Sequence, residues 1–306
     1  MRDRPLVSVL FTSYKHEKYL RECLDSALTQ TYDNLEVIVV DDNSSDTSPE
    51  ILKSYGGRIR LVLNGQNRGT YAVLNQALEM ANGKYAAVLN SDDIWLPRKV
   101  ELQVELMESD PNIAFCHTFG EFIDREGNVI GGRPMGFDFP RTPTGDLLHL
   151  FLQHNRAIAS SVMMRVDLAR EIGGFNESYK NLGDWEMWLR MSERGNVGFA
   201  DEKLTHYRIH GANAILQMET SRSEELRVRE EFIARADSMK SSNPLLMKRS
   251  LSHAAACLAT TYSVEGRPAK ARQLYIKSLK LYPGRLKSLL RYFLTFAPLA
   301  VRKRTL

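Results

Sequence analysis

Tyr85-Ala86-Ala87-Val88-Leu89, followed at once by Asn90-Ser91-Asp92-Asp93, is the stretch on which the fold turns. A short unbroken apolar run reads as a buried strand. A carboxylate pair directly after it faces the crevice at the C-terminal edge of a sheet, where α/β proteins bind their ligands. Adjacent carboxylates repel each other and desolvate badly, so such a pair is usually compensated by a cation or by ligand hydroxyls. The pattern points to a divalent ion carrying a phosphorylated substrate. The alternative is an Asp-rich turn capping the helix that begins near Pro97.

Upstream, the same alternation repeats. Leu6 to Phe11 reads as a first strand, Leu35 to Val40 as a second ending in Asp41-Asp42, and Arg60 to Leu63 as a third. Leu20, Cys23, Leu24, Ala27 and Leu28 recur at helical spacing between the first two. Ser48-Pro49-Glu50 supplies a cap, an N1 proline and an early acid for another helix, and Thr70 to Met80 forms a third, closed by Asn82-Gly83. Short strands alternating with helices are the signature of a mostly parallel α/β sheet built from βαβ units.

Downstream the rhythm loosens. A helix to about Glu108, a strand at Ile113 to Thr118 and a hairpin-like stretch through Phe122, Ile123, Val129 and Ile130 precede a Gly- and Pro-rich loop, Gly131 to Gly145. Ser160 to Met164 reads as a strand, Val166 to Ile172 as a helix ended by Gly173-Gly174, and Trp185 to Arg194 as another helix. Everything beyond about Leu216 is helical, which sets two domains, 1–215 and 216–306.

Composition narrows the function classes. The 306 residues are 43% hydrophobic with a formal charge of +4, enough for a full core and too nearly neutral for nucleic acid as the main partner. The charge excess sits at the end: Arg285, Lys287, Arg291, Arg302, Lys303 and Arg304 occur with no acid after residue 284. Cys23, Cys116 and Cys257 form no CxxC pair, which suits a reducing cytoplasm. The first strand begins within a few residues of the start, which leaves no room for a signal peptide, and no segment approaches the roughly 18 apolar residues of a spanning helix.

With that order established, residues 5 to about 212 resemble the family 2 glycosyltransferases of the GT-A fold. The resemblance is carried by Val7-Ser8-Val9-Leu10-Phe11-Thr12-Ser13-Tyr14, by Leu28-Thr29-Gln30-Thr31-Tyr32, and by Glu36 through Asp41-Asp42-Asn43-Ser44-Ser45-Asp46. Asn67-Arg68-Gly69, Asn75-Gln76-Ala77, Gly83-Lys84-Tyr85 and Asn90-Ser91-Asp92-Asp93 extend it. Gly173-Gly174-Phe175, Gly183-Asp184-Trp185-Glu186-Met187-Trp188-Leu189-Arg190 and Tyr207-Arg208-Ile209-His210 complete it. Each motif is weak alone and the ordered set is specific.

The resemblance implies an inverting transfer of a sugar from a UDP- or dTDP-sugar to a hydroxyl of a glycan or lipid-linked glycan acceptor, with Mn²⁺ or Mg²⁺ as cofactor. It implies that Asp42 accepts the imide N–H of the base, that Thr12 and Tyr14 shape the base pocket, and that Arg68 approaches the phosphates. Asp92 takes the ribose-contacting position and Asp93 the metal-ligating one. Asp184 becomes the general base, with helix capping as its competing role and Glu186 as the nearest rival carboxylate. Where the family often has an acid before that aspartate, this chain has Gly183. Trp188 is expected in the core and Trp185 beside the site. Arg208 and His210 are expected to reach the diphosphate or its metal, His210 alternatively being a structural histidine.

Residues 216–306 lie outside the resemblance. Ala254 to Tyr262, then Gly266-Arg267, Ala269, Ala271, Leu274-Tyr275, Leu279 and Leu281-Tyr282-Pro283, look like one tetratricopeptide-type helix pair, which cannot stand alone. Leu286, Leu289, Leu290, Phe293 and Phe296 among the terminal basic residues suit either an amphipathic helix on an anionic membrane at the inner face of the cell, or a helix docked on the repeat. An oligomer is allowed. A sugar-nucleotide nucleotidyltransferase would need a glycine-rich phosphate loop where Thr12-Ser13-Tyr14-Lys15-His16 stands, and a dinucleotide-dependent dehydrogenase would need G-x-G-x-x-G. A non-catalytic scaffold is the remaining alternative.

Overall fold

The computed structural model describes residues 4–132, 134, 141–211, 213, 216–239 and 241–305. The chain divides into two compact units, Met1–Gly145 with Arg156–Met218, and Asp146–Asn155 with Glu219–Leu306. Residues 146–155, which the sequence places with the first domain, belong to the second unit. Residues 133 and 135–140 of the loop expected over Gly131–Gly145 lie outside the described residues.

The first unit is built on one sheet with the strands β1 (Val7–Ser13), β2 (Leu35–Asp41), β3 (Arg60–Leu63), β4 (Tyr85–Asn90), β5 (Ile94–Trp95), β6 (Ile113–Ile123), β7 (Val129–Ile130), β8 (Val162–Arg165) and β9 (Asn196–Arg208). Their order is β3-β2-β1-β4-β8-β6-β9-β5, with β7 paired to β6. β3, β2, β1 and β4 are parallel, as the βαβ rhythm requires. Beyond β4 the sheet is mixed: β8 runs antiparallel to β4 and β6, and β9 runs parallel to β6. The fold is α/β, with a mostly parallel half and a mixed half in one sheet.

The central strands are covered on both faces, which is why they read as continuous apolar runs. On one face Val7, Val9, Phe11, Val37, Val39, Tyr85, Ala87 and Leu89 pack with Leu20, Cys23, Leu24 and Ala27 of the Leu20–Leu28 helix and with Val104 and Met107 of the Lys99–Ser109 helix. The two-residue pleat turns Leu10, Ile38 and Val88 the other way, and the Thr70–Met80 helix packs over β1 and β2. Gly83 must lack a side chain, because a Cβ there would stand 2.7 Å from the Leu6 carbonyl and 2.8 Å from the Ser8 nitrogen.

Two strands escape the sequence pattern. β9 is the partner of β6 along most of its length, with register shifts near Ile113, Thr118 and Phe119. Those bulges, and the exposed Asp201-Glu202-Lys203 in mid-strand, erase the alternation by which a strand is read. β5 is two residues long, pairing Ile94 with His206 and Trp95 with Thr205. Its consequence is large: it fastens the end of β9 beside Asp92-Asp93.

In the second unit, the helices Pro244–Val264 and Pro268–Leu281 form the expected pair, joined at Gly266 with φ 82°. Their core is Ala254, Ala255, Leu258, Ala259, Tyr262, Ala271 and Tyr275, and the Met218–Ala234 helix adds Ile233 and Leu226. A lone helix pair cannot close a core, and here a third helix does so.

Candidate active site at the C-terminal edge of the sheet

The register aligns Thr12 with Val40 and with Asn90, so the ends of β1, β2 and β4 open onto one edge. The loops leaving it are tied together. Asp41 accepts hydrogen bonds from the Ser13 hydroxyl at 2.9 Å and from the Ser44 backbone and hydroxyl at 2.9 and 2.6 Å. Lys15 and Asn43 take left-handed backbone, φ 54° and 66°. Strained positions of this kind persist where surrounding bonds over-determine them.

Asp92 and Asp93 part company here. The Asp92 carboxylate lies 3.0 Å from Nε2 of His210, and His16 sits next to it, its Nδ1 2.9 Å from the Ser91 hydroxyl. One ligand atom from each of His16, Asp92 and His210 falls within 4.8 Å of the others, the group among the described residues arranged to hold a metal ion. The two imidazoles meet edge-on at 5.2 Å, and Tyr19 lies 5.2 Å from His210. Burial lowers the pKa of His16, against the opposing pull of Asp92. A neutral imidazole is the form that ligates a metal.

Asp93, expected to be the metal ligand, is instead fully buried. One oxygen accepts the Ser160 hydroxyl at 2.5 Å and the other the Arg208 backbone N–H at 3.1 Å. Ser160 in turn accepts the Asn90 N–H at 3.1 Å. Burial, reinforced by the charge of Asp92, pushes the Asp93 pKa well above the ordinary carboxylate range. The turn closed by the Asp93 N–H on the Asn90 carbonyl sends the second carboxylate inward, where it braces β9. Of the two carboxylates, it is Asp92 that stands with the two imidazoles.

Arg208 departs from expectation as well. It is 1% exposed, and its guanidinium donates to the Asp92 carbonyl at 2.9 Å, to the Asp124 and Arg125 carbonyls at 3.2 and 3.1 Å, and to Glu22 at 2.6 Å. It lies 4.8 Å from the Tyr19 ring centre. With its donors so committed it positions the Asp92 loop and does not reach outward to phosphate. His210, buried, lies against the Asp92 carboxylate.

On the opposite flank, Asp42 is 4% exposed and accepts from the backbone of Arg68 at 2.9 and 3.0 Å, from Gly69 at 2.8 Å and from the Asn64 amide at 3.2 Å. Those contacts draw on about four lone-pair positions, so an imide N–H would have to share an oxygen with one of them. The Arg68 side chain is exposed and reaches Gln76 at 3.4 Å. Thr12 donates to Asn90 at 3.3 Å, and Tyr14 is exposed at the edge with Lys15 over its ring.

Asp184 stands in the first turn of the Gly183–Ser192 helix, half-buried, accepting the Trp185 N–H at 2.7 Å. Its charge is felt at Tyr207, whose hydroxyl is driven well up in pKa by burial and then by Asp93, Asp92 and Asp184. One half-buried phenol thus senses all three carboxylates. Gly183 is explained by the Tyr71 ring, 2.6 Å from where a Cβ would stand. Trp188 is in the core as expected, against Phe115 and Phe175. Trp185, expected beside the site, is 3% exposed and is also core. Glu186 is committed to Arg190 through bonds of 2.7 and 2.8 Å, which removes it as a rival base. His16 is the residue the sequence reading missed. Its signal was position, three residues past the end of β1 and next to the strand that carries the acidic pair.

The family model described as "Glycosyl transferase family 2" matches residues 8–173. An uncharacterized glycosyltransferase of Haemophilus influenzae is 32% identical over 218 residues, 69% of this chain and 68% of that protein. Chondroitin synthase of Escherichia coli is 31% identical over 238 residues, 76% of this chain but 33% of the synthase. This chain therefore spans about two thirds of the first relative and a third of the second. Among solved structures, S. aureus TarS 1–349 in complex with UDP-GlcNAc superposes with TM-score 0.72 at 17% identity, over 98% of this chain and 90% of that one. The mannosyltransferase PcManGT from Pyrobaculum calidifontis, in complex with GDP-Man and Mn²⁺, gives 0.58 at 18% identity over 99% and 84%. At these identities the two structures speak for the fold alone.

Proposed function

Since the chain belongs to glycosyl transferase family 2 and is a glycosyltransferase of GT-A fold, we propose that it moves a sugar from a UDP- or dTDP-sugar to a hydroxyl of a glycan or lipid-linked glycan acceptor, with inversion. The observation that carries this reading is the convergence of His16, Asp92 and His210 at the sheet edge, with Asp184 close enough to act on the same tyrosine as the acidic pair.

Two imidazoles and a carboxylate suit a borderline transition-metal ion such as Mn²⁺ better than Mg²⁺, a hard ion that asks for oxygen donors. Asp92, His210 and His16 would hold it. When bound, such an ion stabilises the negative charge that develops on the departing nucleoside diphosphate. The chain supplies the rest. Arg208 and Asp93 fix the Asp92 loop from beneath. The Asp42 carboxylate holds the Asn67-Arg68-Gly69 turn over the nucleotide side. Asp184 takes the proton from the acceptor hydroxyl as that oxygen bonds to the anomeric carbon; the bond to the diphosphate oxygen breaks, and the diphosphate leaves with the electron pair. One such displacement inverts the anomeric centre.

Thermal unfolding of the purified protein with UDP, dTDP, GDP and ADP, each with and without Mn²⁺, tests the reading, because a ligand that binds only the native state raises Tm. UDP or dTDP should stabilise in the presence of Mn²⁺ while GDP and ADP do not. Asp92→Ala should lose that stabilisation. Asp184→Asn should keep it and lose sugar transfer. Equal loss of nucleotide binding in both variants, or no shift with any nucleotide, overturns the assignment.

A further inference from the structure

The Leu286–Leu294 helix is packed with its polar side inward. Ser288 is fully buried, its hydroxyl 2.9 Å from that of Ser278, and Arg291 donates to Thr260 at 3.2 Å. The apolar side faces solvent: Leu286 is 73% exposed, Leu290 64% and Phe293 61%. Phe296, Leu299 and Val301 continue the exposed row into the next helix. A surface helix ordinarily does the reverse. Contiguous exposed apolar area of this kind marks an interaction site.

Charge says what covers it. On the helical period, Leu286, Leu289, Leu290 and Phe293 share one face opposite Ser288, and the exposed Lys287 stands at its border. Lys303 and Arg304 are exposed beyond it, and no acid occurs from Arg285 to Leu306. At the start of the helix Arg285 donates to Nδ1 of His253 at 2.7 Å, its Nε is buried without a partner, and His253 is held down to about 4 by burial and by Arg285 and other cations around it. A second copy of the chain would set these cations against their own kind. No helix of the described residues is long and apolar enough to cross a membrane.

We infer that the helices Leu286–Leu294 and Leu299–Thr305 form a peripheral docking surface for an anionic phospholipid bilayer. The leucine and phenylalanine side chains enter the interface while the flanking basic residues meet lipid phosphates. This docking is independent of the sugar chemistry.

Co-sedimentation of the full-length protein with phosphatidylcholine vesicles, with and without phosphatidylglycerol, is the test. Binding should require phosphatidylglycerol and weaken with salt. It should fall about fivefold for each of Lys287→Gln, Lys303→Gln and Arg304→Gln. The double change Leu290→Asp and Phe293→Asp, at positions already in solvent, should leave Tm unchanged and cut binding at least about tenfold. Absence of binding, equal binding to neutral vesicles, or full binding by the double variant overturns the inference. So does a dimer in light scattering that this variant dissolves, which would assign the face to a second copy.

Discussion

Replacing Arg208 by Met separates the two roles open to that arginine. A phosphate ligand would be reached from solvent, and its loss would weaken nucleotide binding while sparing stability. The structure places it 1% exposed, with four acceptors around one guanidinium. Met fills similar volume but donates nothing. The Asp92 carbonyl, fully buried, loses its partner at a cost of about 2 kcal/mol. The Asp124 and Arg125 carbonyls, in a turn that water can reach, cost about 1 kcal/mol each. The Glu22 ion pair, with that carboxylate 57% exposed, adds less than about 1 kcal/mol. The sum is about 4 kcal/mol, which at about 2–4 °C per kcal/mol predicts a Tm lower by about 8–16 °C. Urea unfolding should show the midpoint shifted with the slope unchanged. Arg208→Lys keeps the charge but not the planar fork, and should recover less than half of the loss. A Tm for Arg208→Met within about 2 °C of the parent, with nucleotide binding weakened, refutes the positioning role and returns Arg208 to the phosphates.

Ser160→Ala removes the donor to Asp93 and the acceptor for the Asn90 N–H at one stroke, so chemical unfolding should show a loss of about 3 kcal/mol. Gly83→Ala forces a methyl group against the Leu6 and Ser8 backbone and should cost at least about 3 kcal/mol, read as loss of soluble protein or a lowered Tm. His117 is buried with its pKa pushed down to about 4, chiefly by desolvation. Its unfolded form takes up a proton at higher pH than the folded form, so stability is full above about 6.5 and falls by about 3 kcal/mol as pH drops towards 4. His117→Gln should flatten that part of a pH series of urea midpoints, and an unchanged slope would show that other groups carry it.

The parallel half of the sheet could be read because each strand there is covered on both faces and each crossover helix carries a regular stripe. Val7, Val9 and Phe11 point to one side and Leu10 to the other, and all are buried, so a plain apolar run suffices. β9 could not be read. Its residues satisfy β6 along one edge through a register broken three times, and Asp201, Glu202 and Lys203 stand in solvent where alternation would need a core residue. Its place is set by a partner some eighty residues earlier in the chain, information that no local window contains.

The position of the acidic pair was legible in the sequence, and the roles of its two members were not. Sequence could place a carboxylate pair at the end of β4, because composition and position suffice for that. It could not decide which member faces outward, since the choice depends on the turn between Asn90 and Asp93 and on what lies behind it. Ser160 and the backbone of Arg208 lie there, both donors, and they draw Asp93 into the interior. Arg208 can do so because β5 pins the end of β9 against the loop. The same pin brings His210 to Asp92, while the turn after β1 brings His16 from the other side. The most local motif in the chain, two adjacent aspartates, thus takes its division of labour from its most distant contacts. A change in β9 that loosens the His206 pairing should therefore abolish any Mn²⁺-dependent rise in Tm before it lowers the Tm of the metal-free protein.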